Sequence, residues 1–77
     1  MDQTEARRLM TELTPGSLWI HRNGGEYEVL VMANVEYSDR YPLTVIYRSH
    51  TTADARPRIW ARRASDWHRS MKAKVTT

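Results

Sequence analysis

The stretch Leu18-Trp19-Ile20-His21-Arg22-Asn23-Gly24-Gly25-Glu26-Tyr27-Glu28-Val29-Leu30-Val31-Met32-Ala33 decides the fold. Both of its arms alternate with a period of two, the mark of a half-buried strand, because successive side chains of an extended chain point to opposite faces. In the first arm Leu18 and Ile20 face one way, Trp19 and His21 the other. In the second, Tyr27, Val29, Val31 and Ala33 oppose Glu28, Leu30 and Met32. Asn23-Gly24-Gly25 between them is the kind of segment that supplies the positive φ angles of a tight hairpin. Both faces of the second arm become apolar toward its end, so this strand is expected to be central or bent around a core.

Upstream, residues 2–13 read as a helix. Asp2 and Glu5 have the spacing of a capping box, and Ala6, Leu9, Met10 and Leu13 form one stripe on a 3.6-residue period. Thr14-Pro15-Gly16 ends it. So short a helix is marginal alone and must pack over one face or end of a sheet. Downstream, residues 34–42 read as a loop or a loosely paired hairpin. Leu43 to Arg48 reads as a strand with Val45 and Tyr47 opposite Thr44, Ile46 and Arg48. The polar segment 49–58, with Pro57, reads as a loop. Ile59 to Arg63 reads as a short strand with Ile59 and Ala61 opposite Trp60 and Arg62, and Ala64-Ser65-Asp66-Trp67 as one helical turn that plugs the core with Trp67. Residues 70–77 are expected to be a flexible tail, leaving a single domain over 1–69. The expected class is mostly β (α+β): a small SH3-like barrel or curled antiparallel sheet with one N-terminal helix, since curling closes the core and hides the strand edges.

A chain of 77 residues has room for one domain with a thin core. It has no cysteine, which excludes disulfides and thiolate metal sites and fits a reducing compartment. The longest apolar run, Val29 to Ala33, is too short to span a bilayer and lacks signal-peptide flanks, so a cytoplasmic protein without membrane contact is expected. The net charge of +3 conceals an asymmetry. Residues 1–39 hold seven acidic and three basic side chains, whereas residues 40–77 hold nine basic and two acidic ones. Ten of the twelve basic residues are arginine, whose planar fork suits phosphate and aromatic stacking. The split suggests an anionic partner for the basic half, against the simpler alternative of a solvated basic surface.

The ordered run Gly16, Trp19-Ile20-His21, Gly24-Gly25-Glu26-Tyr27-Glu28-Val29-Leu30, Ala33, Val45-Ile46-Tyr47-Arg48, Trp60-Ala61-Arg62 and Trp67 resembles a family of short domains of unknown function found in bacteria and their phages. Members read G-x-Y-x-H-x-K-G-x-x-Y-x-V, then V-V-Y-R, then W-x-R-P and an aromatic residue. The resemblance covers about residues 15–68 and lies in order and spacing rather than in any one piece. Trp19 stands where the family usually has tyrosine, Asn23 where it has lysine and Arg63 where it has proline. The loop at 49–58 is longer, and the helix at 2–13 lies outside the pattern. The resemblance implies a small β-rich, SH3-like domain and no activity; if phage-encoded, the protein would act in the host cytoplasm.

Trp19, His21, Tyr47, Arg48, Trp60 and Arg62 are the candidate ligand-binding residues. If the first and last strands lie near each other, indole, imidazole and guanidinium groups would converge on one concave surface suited to a nucleobase and its phosphate. The alternative is that Trp19, Tyr47 and Trp60 are the large core residues of a domain without phenylalanine, with His21 and Arg62 satisfying backbone carbonyls or pairing with Glu28. His21, His50 and His68 lack ligand spacing, so no metal is expected. No cofactor is expected either. Ser49-His50 point apart on an extended chain and lack an orienting carboxylate, and Glu26 and Glu28 read as cross-strand salt-bridge partners, so no enzyme is expected. Arg56, Arg58, Arg62, Arg63, Arg69, Lys72 and Lys74 could follow a phosphate backbone, although the acidic first half would repel a long polyanion unless the two surfaces separate. The leading expectation is a non-enzymatic protein that binds a nucleotide-like ligand or nucleic acid. The rival is an inhibitor or adaptor that grips a host protein through the helix, the acidic face or the 49–58 loop. An exposed strand edge also leaves homodimer formation open.

Overall fold

The 3.6-residue stripe of the first helix does what its spacing requires. The computed structural model describes residues 3–49 and 58–74. In it α1 (Gln3–Glu12) buries Ala6 and Leu9, Met10 packs beside them, and Leu13 follows at the helix end with no exposed surface. The expected cap Asp2 lies outside the described residues. Gly16, at φ +88°, turns the chain, and its amide donates to the Val29 carbonyl at 2.8 Å, docking the helix end on the sheet.

Five strands follow: β1 (Leu18–His21), β2 (Glu26–Ala33), β3 (Thr44–Ser49), β4 (Ile59–Arg63) and, after the helical turn α2 (Ala64–Trp67), β5 (Met71–Ala73). They form one antiparallel sheet in the order β4-β3-β2-β1-β5. The sheet is open and curled. Its two edge regions meet across the concave side, where Arg62 of β4 donates to the Ser70 hydroxyl just before β5. The mostly β class with one N-terminal helix is therefore the observed one. The β1–β2 hairpin is closed by Gly24 at φ +95°, whose amide donates to the His21 carbonyl at 2.8 Å. The Asn23 side-chain oxygen accepts from the Gly25 amide at 2.9 Å.

Two expectations need correction. The simple alternation predicted for β2 breaks at a bulge: Val29 opposes Tyr47, but the next pair is Val31 with Ile46, so Leu30 is an extra residue. The inward series is therefore Tyr27, Val29 and Met32. Val31, expected on the Val29 side, points outward and is 50% exposed. Met32 gains the place opposite fully buried Val45. The other correction concerns the tail expected over 70–77. Residues 71–73 form β5, which pairs with β1 through His21↔Met71, Ile20↔Lys72 and Trp19↔Ala73. Met71 is buried, and the Lys74 ammonium donates to both Glu26 carboxylate oxygens at 3.1 Å. A three-residue strand offers too little periodicity to be seen in sequence, and its stability comes from the strand beside it.

Residues 34–42 are a loop. Asn34 takes φ 65°, and its side-chain amide donates to the Pro42 carbonyl at 2.8 Å, tying the loop's two ends. Of the expected loop at 49–58, Ser49 ends β3, Arg58 leads into β4, and 50–57 lie outside the described residues. The helical turn plugs the core as expected: Trp67 is fully buried, with Ala64 beside it.

The importance of β5 generates a truncation test. Ending the chain after Lys74 should leave the thermal midpoint within a few degrees of the full chain. Ending it after Ser70 removes buried Met71 and exposes the β1 edge, and should cost about 2–5 kcal/mol in urea denaturation. Equal stability of the two truncated forms would contradict a structural role for β5.

Candidate ligand-binding face

In an antiparallel pair, directly opposed residues share a face. Tyr47 opposes Trp60, Val45 opposes Arg62, Trp19 opposes Tyr27 and His21 opposes Met71. Because Val45, Tyr47 and Met71 are buried, all of these residues stand on the concave inner face. The helices cover only part of that face. A run of rings extends along it from β4 to β1, with Trp60 the most exposed and Tyr47 buried.

Trp60 stacks on Tyr47 with centroids 5.9 Å apart and planes 29° apart. Tyr27 meets both edge-on, at 5.5 Å to Tyr47 and 5.8 Å to Trp60, and His21 meets Tyr27 at 6.3 Å. The Arg62 guanidinium lies 6.0 Å from the Tyr47 ring centroid, the outer limit of a cation–π contact, and is held there by its hydrogen bond to Ser70. Trp60, on an edge strand, is 37% exposed, whereas Tyr47 is buried beneath it. His21 has its Nδ1 occupied by the Asn23 amide at 3.1 Å, which leaves Nε2 to carry the ring proton in the neutral form.

Beside this run, at the β1/β5 side, is a cleft of about 520 Å³. Its polar lining is His21, Arg22, His68, Arg69, Ser70 and Lys72, with no carboxylate. Among the described residues no ion pair involves Arg22 or Lys72. Arg69 makes only an exposed 3.6 Å contact with Asp66, of the kind that contributes little in water. His68 is engaged with Glu12 of α1, Nε2 to Oε2 at 2.7 Å. His21 and Ser70 belong to both the ring run and the cleft, and so join them.

Of the six residues expected to form the site, the structure brings together Tyr47, Trp60 and Arg62, and joins His21 to them through Tyr27. Trp19 is corrected to the core: it is 4% exposed, edge-on to Trp67 at 5.7 Å and to His68 at 5.6 Å, and its indole N–H donates to the Ser17 hydroxyl at 3.0 Å. It shares a face with His21, but α2 covers its end of the strand. Arg48 is corrected to the convex face, where it donates to Glu28 at 2.8 and 3.0 Å across the β2–β3 register. Glu26 and Glu28 are thus the cross-strand partners their spacing suggested. Two contributors were not foreseen. Tyr27, the ring that contacts three others, had a visible signal in its place opposite Trp19 in the hairpin. Ser70 had none, lying in the expected tail. Among the described residues no group of His, Asp and Glu gathers in a metal-binding arrangement.

Comparison with known protein families, with curated proteins and with solved structures finds no match. The meaning of the face therefore rests on its own geometry.

The burial pattern separates the three tryptophans. Acrylamide should quench one emitting fraction readily, and Trp60→Phe should remove that fraction while leaving the folded circular-dichroism spectrum intact. Trp19→Ala and Trp67→Ala should each cost about 3–5 kcal/mol in urea denaturation. Uniform quenching of all three indoles in the folded protein would contradict this arrangement.

Proposed function

We propose that this chain is a non-enzymatic binding module of the SH3-like barrel type that holds an anionic, nucleotide-like ligand or nucleic-acid segment on its concave face. The strand order, with β1 paired to both β2 and β5 and one helical turn between β4 and β5, supports the barrel reading. So does the resemblance of residues 15–68 to short bacterial and phage domains, which also favours the host cytoplasm as the place of action. No helix among the described residues is long and apolar enough to cross a membrane.

One observation carries the ligand reading: part-exposed Trp60 stacked on Tyr47, with Arg62 beside it, next to a cleft that Arg22, Arg69 and Lys72 line without a carboxylate. A base stacked on such a ring gains about 1–3 kcal/mol, and guanidinium and ammonium groups nearby meet its phosphate. The polar groups of the face are engaged in ways that suit binding rather than bond-breaking. The Ser70 hydroxyl accepts from Arg62 and the His21 Nδ1 accepts from Asn23, so neither activates the other.

A second reading, an inhibitor or adaptor of a host protein, is favoured by the apolar groups the fold leaves outside. Val31 and Ile59 are exposed on the convex face, and Val35, Tyr37 and Tyr41 on the 34–42 loop. Recovery of one stoichiometric protein from host lysate, with no response to nucleotides, would favour it.

Titrating mono-, di- and cyclic nucleotides and short oligonucleotides should change the tryptophan emission for at least one class. Trp60→Ala should abolish the change, and Arg62→Ala should weaken binding about tenfold or more. Arg48→Ala, on the opposite face, should leave it within about twofold. A folded protein that responds to none of these ligands would eliminate the nucleotide reading.

A further inference from the structure

Resting on that reading of the concave face, we infer that its ligand is a single strand of nucleic acid rather than a free nucleotide. Bases step across the rings of Trp60, Tyr27 and His21, and phosphates run from Arg62 into the β1/β5 cleft.

The placement of stacking and charge argues for linked nucleotides. Sites for small molecules enclose roughly 70–90% of the ligand surface. Here the exposed stacking ring is outside the hollow: Trp60 stands on an edge strand and does not line the cleft. The rings step across the face at 5.8 Å from Trp60 to Tyr27 and 6.3 Å from Tyr27 to His21, and the last of them borders the cleft. Cations occupy two positions. Arg62 is beside Trp60 on the concave face and reaches the cleft through Ser70, whereas Arg22 borders the cleft where β1 ends and Lys72, opposite Ile20, projects from the β5 edge toward the convex side. Ser70 bridges the two positions, taking a hydrogen bond from Arg62 and lining the cleft. A single nucleotide carries its charge in one cluster, whereas a strand presents phosphates at intervals that both positions can meet. Paired bases within a duplex keep their faces covered, so the ring run selects unpaired ones.

The acidic half of the chain does not oppose this track. Glu26 and Glu28 face outward, bound to Lys74 and Arg48, and Glu12 is held by His68. Glu36 and Asp39 line a separate hollow with Gln3 and Arg7 of α1. Lys72 shares the convex side with Glu26, whose carboxylate is already taken by Lys74.

The test uses the full chain and fluorescence anisotropy of end-labelled oligouridylate and oligothymidylate of about six nucleotides, with uridine and thymidine monophosphate as competitors. At least one strand should bind about tenfold or more tightly than its monomer, with the RNA and DNA arms showing which backbone is preferred. The slope of log K against log salt should be about −2, as for three phosphate contacts on a single strand. Arg22→Gln and Lys72→Gln, both at exposed positions or in the cleft wall, should each reduce that slope by about 0.7. Arg40→Gln, on the 34–42 loop, should leave it unchanged. Equal affinity for monomer and strand would overturn the inference while leaving the nucleotide reading standing, as would strand binding with a salt slope indifferent to Arg22 and Lys72. Absence of binding by strand and monomer alike would overturn both.

Discussion

Trp67 is the wedge around which this small domain is arranged. Its fully buried ring meets Tyr47 of β3 edge-on at 4.9 Å and Trp19 of β1 edge-on at 5.7 Å, and so ties together strands that are not neighbours in the sheet. An aromatic side chain removes about 150–250 Å² from water, which is about 4–6 kcal/mol at about 25 cal/mol per Å². The net stability of a chain this long is expected to be about 4–12 kcal/mol. One residue therefore accounts for a sum comparable with the whole. Among the described residues its buried indole N–H has no hydrogen-bond acceptor, so its contribution here comes from the packing of the ring. The curl of the sheet, the arrival of Ser70 near Arg62, and the return of the chain as β5 all follow from where this ring is seated.

The parts of the fold that were legible in the sequence are those with a repeated physical period. The stripe of α1, the alternation of β1 and β3, the Asn23-Gly24 turn and the Trp67 plug could be read because each follows from local chemistry. The bulge at Leu30 could not be, because Leu30, Val31 and Met32 are all apolar and any of them could face inward. Strand β5 was equally hidden, since its three residues acquire their conformation from β1. At the site, the pairing of Trp60 with Arg62 was visible as an i, i+2 pattern, as was the opposite orientation of Arg48. The fate of Trp19 was not, because two residues on one face of a strand can differ wholly in burial when a helix covers only one of them.

Charge is sorted by the sheet rather than by the linear chain. The carboxylates of the hairpin and the cations near the C-terminal end meet across strands on the convex side, where Glu28 pairs with Arg48 and Glu26 with Lys74. Such part-exposed pairs contribute modestly to stability. They also neutralise Glu26 and Glu28, which would otherwise offset the neighbouring cations. Arg62, opposite buried Val45, stands on the concave face, while Lys72, opposite Ile20, stands with Lys74 on the convex one.

The bulge in β2 also shifts the burden of strand alignment onto a distant loop. Past Leu30 both surfaces of the strand are greasy, so polarity guides its alignment against β3 only through Glu26 and Glu28 in the first half. In the second half the count is held by the clamp at the strand's exit, where Asn34 adopts its left-handed backbone and grips the Pro42 carbonyl just before β3 begins. That side-chain amide works as a pawl on a ratchet, fixing how many residues the turn consumes and hence which tooth of β2 engages Tyr47 and Val45.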